Sequence, residues 1–192
     1  VHIMRKELDT LKIADFPVLD PTAGYKMKDY ILETAARKDS VGGIVECCVL
    51  GLPPGLGEPI FDGLENRISA AVFGIPAVKG IEFGDGFETA RSTGSVNNDA
   101  FFCEARQIRT KTNHNGGILG GLASGMPLIF RAAFKPTPSI GLPQDSVDLS
   151  TGQNTTLTVR GRHDPCVVPR AVPCVEAAAA IALYDLCLGD RR

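Results

Sequence analysis

Apolar and polar positions alternate along this chain in stretches of different period, and the periods mark out its elements. After Asp20 and Pro21, a helix-start pair, apolar side chains recur at helical spacing at Met27, Tyr30, Ile31 and Ala35, which predicts about four turns ending near Arg37. Val41 to Leu50 (VGGIVECCVL) is short and β-branched and predicts a mostly buried strand, with Cys47 and Cys48 on opposite faces. Gly51 to Pro59 (GLPPGLGEP) reads as a rigid turn. Phe61, Leu64, Ile68, Ala71, Val72 and Ile75 then predict an amphipathic helix from Pro59 to Phe73, with Pro59 as its first residue.

The second half of the chain is more punctuated. Val78 to Phe83 predicts a strand ended by Gly84 and Gly86, and Arg91 to Asn115 turns polar with little periodicity, so a long loop is expected there. It runs into NHNGGILGGLASG, where Gly116, Gly117, Gly120 and Gly121 let backbone approach a flat or anionic ligand; a flexible turn is the plain alternative. Leu128 to Phe134 predicts a strand leading into Lys135, Pro136, Thr137, Pro138 and Ser139. Val147 to Leu149 and Thr155 to Val159 flank STGQN as a β-hairpin would. A last helix starts near Pro173, carries Glu176 in its first turn and stops at Gly189, and its AAAAIAL interior predicts an enclosed helix.

Composition narrows the class. The chain has 192 residues and is 44% hydrophobic, enough for a folded, soluble unit with a real core, and neither a repeat nor a linker divides it, so 1–192 reads as one α+β unit. A net charge of −2 leaves no electrostatic footprint for nucleic acid. The uninterrupted apolar stretches fall short of the ~20 residues a bilayer crossing needs, so no membrane helix is expected. Six cysteines, at 47, 48, 103, 166, 174 and 187, form no C-x-x-C pair, so no metal site and no disulfide framework is indicated, and reduced thiols in a cytoplasmic protein are the default.

Chemistry is concentrated in three loops. Arg160 to Glu176 places three Arg, His163 and Asp164 within eleven residues, ahead of an apolar helix. Such a cluster suits an anion, although a solvated loop has the same composition. The Lys135 ammonium and the Thr137 and Ser139 hydroxyls, stiffened by two prolines, suit a phosphate or a polar ring edge.

Six ordered strings, SVGGIVE, LPPGLGEPIFD, GIPAVKGIEFGDGFETARSTGS, NHNGGILGGLASGMPL, AAFKPTPSI and GRHDPCVVPRAVPCVEA, resemble the C-terminal portion of chorismate synthases from about Asp20 to Leu188. The resemblance implies a β-α-β sandwich and a homotetramer. It also implies a lyase of the shikimate pathway that converts 5-enolpyruvylshikimate 3-phosphate into chorismate and phosphate, with reduced FMN required although no net redox change occurs. Some members reduce their own flavin, with NADPH as reductant, and others rely on an external one.

Carried over residue by residue, the resemblance implies FMN contacts at Pro76 and Ala77, at Gly120, and at Lys135, Pro136, Thr137, Pro138 and Ser139. Arg162 would lie near both flavin and substrate phosphate. Asp164 would assist proton transfer at the flavin, kept ionised by Arg160 and Arg162. Pro76 departs from the family, which has an amide residue there. His114 and His163 can serve simply to hold their loops, and Cys166 and Cys174 inherit no role. The family's two catalytic histidines and its early Arg-rich loop belong upstream of the matched region, so the expectation is a partial chain, inactive alone. A non-catalytic flavin or phosphate-binding or oligomer-assembly module is the alternative.

Overall fold

The computed structural model describes residues 5–11, 14–161 and 163–189. In chain order it contains α1 (Arg5–Leu11), α2 (Pro21–Ala36), β1 (Gly43–Val49), a 3-10 turn (Ile60–Asp62), α3 (Leu64–Phe73), β2 (Val78–Phe83) and a 3-10 segment (Gly86–Arg91). There follow α4 (Gly94–Asn97), β3 (Phe101–Glu104), β4 (Gln107–Thr110), β5 (Ile118–Leu119), β6 (Leu122–Ala123), β7 (Leu128–Phe134), β8 (Gln144–Asp148), β9 (Gln153–Leu157) and α5 (Val168–Gly189). The architecture is α+β. Two compact units are formed, one by the chain up to Gly43 with Phe134–Arg170, the other by Ile44–Ala133 with the chain from Ala171 onward.

In the first unit, α2 begins as its sequence dictates. Asp20 caps it by accepting the Thr22 N–H at 2.8 Å, Pro21 occupies the first turn, and Lys38 at φ 61° ends it. The expected apolar stripe is not covered, however: Met27 and Tyr30 are exposed, and the buried positions are Gly24 and Thr34. The predicted hairpin forms, with its strands set earlier than expected. Gln144 pairs with Leu157 and Asp148 with Gln153, around a turn that closes through Gly152 N–H and the Asp148 carbonyl.

In the second unit the sheet order is β1-β7-β2. Central β7 alternates strictly, burying Leu128, Phe130, Ala132 and Phe134 on one face, as a half-covered strand must. Gly84 N–H donates to the Ile129 carbonyl at the end of β2, while Gly80 lies against Ala133, so β2 and β7 run in opposite directions. Helix α3 buries Leu64, Ile68 and Val72, one residue per turn, and packs on β2. The Phe83 and Phe130 rings lie 5.8 Å apart and tilted.

Three expectations are corrected here. The helix predicted from Pro59 is broken at Gly63 into the 3-10 turn and α3, and Phe61 is exposed. The break follows from backbone contact: Leu64 N–H donates to the Gly121 carbonyl at 2.9 Å, and a Cβ on Gly63 would stand 2.8 Å from Gly121 Cα. Strand β1 is only half buried, with Val45 inside and Ile44 exposed. The polar stretch 91–115 is not a loop throughout, since it holds α4 and the antiparallel β3–β4 hairpin.

The last helix starts at Val168, five residues before the expected Pro173, which becomes an interior proline. Pro169 supplies the proline of the opening turn, where no amide donor is needed. Only one stripe of α5 is covered, through Ala171, Val175, Ala179, Ala182 and Leu183, while Ile181, Tyr184 and Leu188 are exposed, so the helix is not enclosed. At 22 residues, with a mean hydropathy of 1.7 over an 18-residue window, it is long and apolar enough to cross a membrane by length and composition alone, a test that the core helix of a soluble protein also passes. The Arg67–Asp185 ion pair ties it to α3.

Candidate functional site

Of the residues to which a flavin role is carried over, Pro76, Ala77 and Gly120 lie in the second unit and Lys135 to Ser139 and Asp164 in the first. Arg162 lies outside the described residues.

Pro76 and Ala77 are the central pair of the turn joining α3 to β2, closed by Val78 N–H to the Ile75 carbonyl at 3.4 Å. Ala77 has φ 73°, so the pair follows the type II pattern of Pro first and positive φ second. The missing amide of Pro76 therefore costs the turn nothing, because that position donates no turn hydrogen bond. Ala77 holds a conformation that glycine adopts at lower cost, a form of local strain often found at functional positions.

Gly120 and Gly121 are the two-residue turn of the β5–β6 hairpin, at φ 62° and 87°. Gly121 is buried against Glu58 and Gly63. Gly120 is exposed, and nothing lies within 4 Å of where its Cβ would be. The tip thus offers bare backbone on a fixed base.

Lys135 to Ser139 leave β7 as irregular chain that bends at Pro138, with Lys135, Pro136, Pro138 and Ser139 exposed. Ser40 Oγ donates to the Thr137 carbonyl at 2.6 Å, and Gln144 Nε2 donates to the Pro138 carbonyl at 3.3 Å. Thr137 Oγ1 is buried without a hydrogen-bond partner among the described residues. A hydroxyl left this way is costly unless a further group completes it. Together with the exposed Lys135 ammonium and Ser139 hydroxyl, it fits the phosphate or polar ring edge of a group such as FMN.

Asp164 is half buried. Its Oδ1 accepts the Cys166 N–H at 3.3 Å and its Oδ2 meets Arg170 Nη1 at 3.0 Å, so the described cation beside it is Arg170 in the first turn of α5 rather than Arg160. The six-residue separation places the guanidinium back over the loop once the helix starts at Val168. His163 Nε2 lies 3.1 Å from the Val159 carbonyl and holds its loop.

The structure brings the two loops of the first unit to one short segment. Ser40 is tied to Thr137, and the adjacent Val41 N–H donates to the Pro165 carbonyl at 2.8 Å. Sequence reasoning missed this role for Ser40 and Val41, because a linker between a helix and a strand carries no motif. It also missed Asp99, whose buried carboxylate accepts from Thr112, His114 and Asn115. A lone Asp after two Asn in a polar stretch signals only a turn.

A family model described as chorismate synthase matches residues 2–188. The chain is 57% identical over 169 residues to the chorismate synthase of Dehalococcoides mccartyi, covering 88% of this chain and 46% of that protein. It is 53% identical over 167 residues to that of Methanothermobacter thermautotrophicus, covering 86% and 45%, and 49% identical over 188 residues to that of Lachnoclostridium phytofermentans, covering 97% and 50%. A crystal structure of chorismate synthase superposes with a TM-score of 0.73 at 32% identity, covering 91% of this chain and 45% of the other. The chain spans about half the length of the curated relatives it matches. On this match, from residue 2 to residue 188, the chain belongs to the chorismate synthase family.

Proposed function

We propose that this chain contributes the flavin- and phosphate-facing loops of a chorismate synthase, a carbon–oxygen lyase that eliminates phosphate from 5-enolpyruvylshikimate 3-phosphate. The observation that carries the reading is the 57% identity over 169 residues to a relative of that name. Reduced FMN, when bound, supplies transient electron density that assists loss of phosphate. Ala77 and Gly120 would offer backbone to a flavin, Lys135 to Ser139 would offer polar groups to one, and Pro76 shapes the Ala77 turn. Lys135 and Arg162 would meet phosphate charge as it develops on the leaving group. Asp164, oriented by Arg170 and the Cys166 amide, would accept a proton as the elimination completes.

The 192 residues hold part of such a site, so this chain by itself does not turn over substrate; the assembled enzyme is a cytoplasmic homotetramer, with NADPH as the reductant if it reduces its own flavin. The test is titration of the chain with FMN, read by flavin fluorescence, beside a chorismate assay with reduced FMN. Quenching without turnover is the expected result. Unperturbed fluorescence would favour an assembly module, and robust turnover would overturn the reading of a partial site.

A further inference from the structure

Asp99 precedes the β3–β4 hairpin and is 8% exposed. Its carboxylate accepts Thr112 Oγ1 at 2.7 Å, the His114 N–H at 2.8 Å, the Asn115 N–H at 3.0 Å and Asn115 Nδ2 at 2.9 Å. All four donors are neutral. Burial opposes ionisation, but the bonds from Thr112, Asn115 and His114 outweigh it and hold the carboxyl below its ordinary range. Asp99 is therefore a charged clamp closed on one short segment.

That segment is gripped from other sides too. Asp85 N–H donates to the His114 carbonyl at 2.8 Å, and Asp85 Oδ2 lies 2.5 Å from His114 Nδ1. Asn113 Nδ2 donates to the Pro127 carbonyl at 2.9 Å. Ile129 N–H donates to the Gly116 carbonyl, and Ser124 N–H to the Gly117 carbonyl. From the clamped segment the chain runs through Ile118 and Leu119 into Gly120, the exposed glycine at the hairpin tip.

We infer that Asp99 is a positioning residue for Gly120: its carboxylate fixes the path of 112–117 and so the place at which the bare Gly120 backbone is offered to the flavin. The inference rests on the flavin reading above. Asp99 touches no reacting atom; its effect travels through Asn115 and the two buried glycines that follow. In Asp99→Asn the shape is kept, but an amide NH2 faces donors where a carboxylate oxygen stood, so the clamp opens without a cavity.

The experiment compares amide hydrogen exchange at Leu119 to Leu122 and FMN affinity in the 192-residue chain, in Asp99→Asn, and in the core variant Ile68→Val. Loss of bonds to a charged acceptor is expected to speed exchange at Gly120 and Gly121 about tenfold and to weaken FMN binding about tenfold in Asp99→Asn. Ile68→Val, which lowers stability without touching the clamp, is expected to keep the affinity of the parent. Thr112→Val, which removes one donor, is expected to move both readouts in the same direction by a smaller factor, and it decides the matter if Asp99→Asn does not fold. Unchanged exchange at the tip, unchanged affinity, or an equal loss of affinity in Ile68→Val would overturn the role of Asp99 while leaving the flavin reading intact. Failure of the parent itself to bind FMN would overturn the flavin reading and, with it, a flavin-positioning role for Asp99.

Discussion

Cys47 shows how far one side chain's chemistry depends on its neighbours. It sits on half-buried β1, where burial first, and then Cys48 and Glu176, push its thiol from 9.0 up to about 12. The thiolate is the reactive form, so Cys47 is expected to be alkylated by iodoacetamide at pH 8 at least about a hundredfold more slowly than Cys103, which is exposed on β3. Peptide mapping of alkylated protein measures this. The sign of the pH effect on stability follows from the same shift. Because the folded thiol holds its proton more tightly than the unfolded one, its contribution is present below pH 9.0 and is lost as pH rises from there towards about 12. Comparable labelling rates would mean that the Cys47 thiol is neither shielded nor raised. Cys47 and Cys48 are thus half-buried side chains of β1, short of the core position their β-branched surroundings suggest.

At the scale of elements, the β3–β4 hairpin turns on Ala105 and Arg106, at φ 49° and 64°. A two-residue turn with both residues at positive φ normally uses Asn-Gly, because a side chain in the left-handed region crowds its own backbone. Nothing in Ala-Arg announces a turn, which is why the hairpin is hidden in the sequence, whereas STGQN announces β8–β9 openly. Replacing Ala105→Asn together with Arg106→Gly is expected to raise stability by about 1 kcal/mol, read as a higher midpoint in urea unfolding. A lower midpoint would show that the Ala105 and Arg106 side chains make contacts that outweigh the backbone cost. Helix α5 carries the complementary lesson. Pro173 looks like a helix start because proline suits a first turn, yet the helix runs from Val168 through it, with Ala171 already buried, so packing outweighs the local break.

Over the whole molecule, the buried apolar side chains described lie in the second unit, apart from Phe134 and Cys166. Phe130 is the largest of those that are almost fully buried, and Phe130→Ala is expected to cost about 3–5 kcal/mol in urea denaturation. Amides of α2 and β8–β9 in the first unit, where few apolar groups are buried, are expected to exchange with solvent before those of β7 and α3. Equal protection in the two units would contradict that uneven distribution of core. Residues by themselves were enough to set the bounds of α2, β2 and β7, because an Asp-Pro cap, a terminal glycine and an apolar run stopped by Lys135 and Pro136 act within a few positions of where they stand. The ordered family strings were likewise legible and placed Ala77, Gly120 and Lys135 to Ser139 on loops. Tertiary structure alone decided the break at Gly63, the tie of Ser40 and Val41 to the Thr137 and Pro165 loops, the pairing of Asp164 with Arg170 and the burial of Asp99 among Thr112, His114 and Asn115. These depend on which backbone and which donors arrive from elsewhere in the chain, and a hydrogen bond across many residues leaves no period in the sequence to be read.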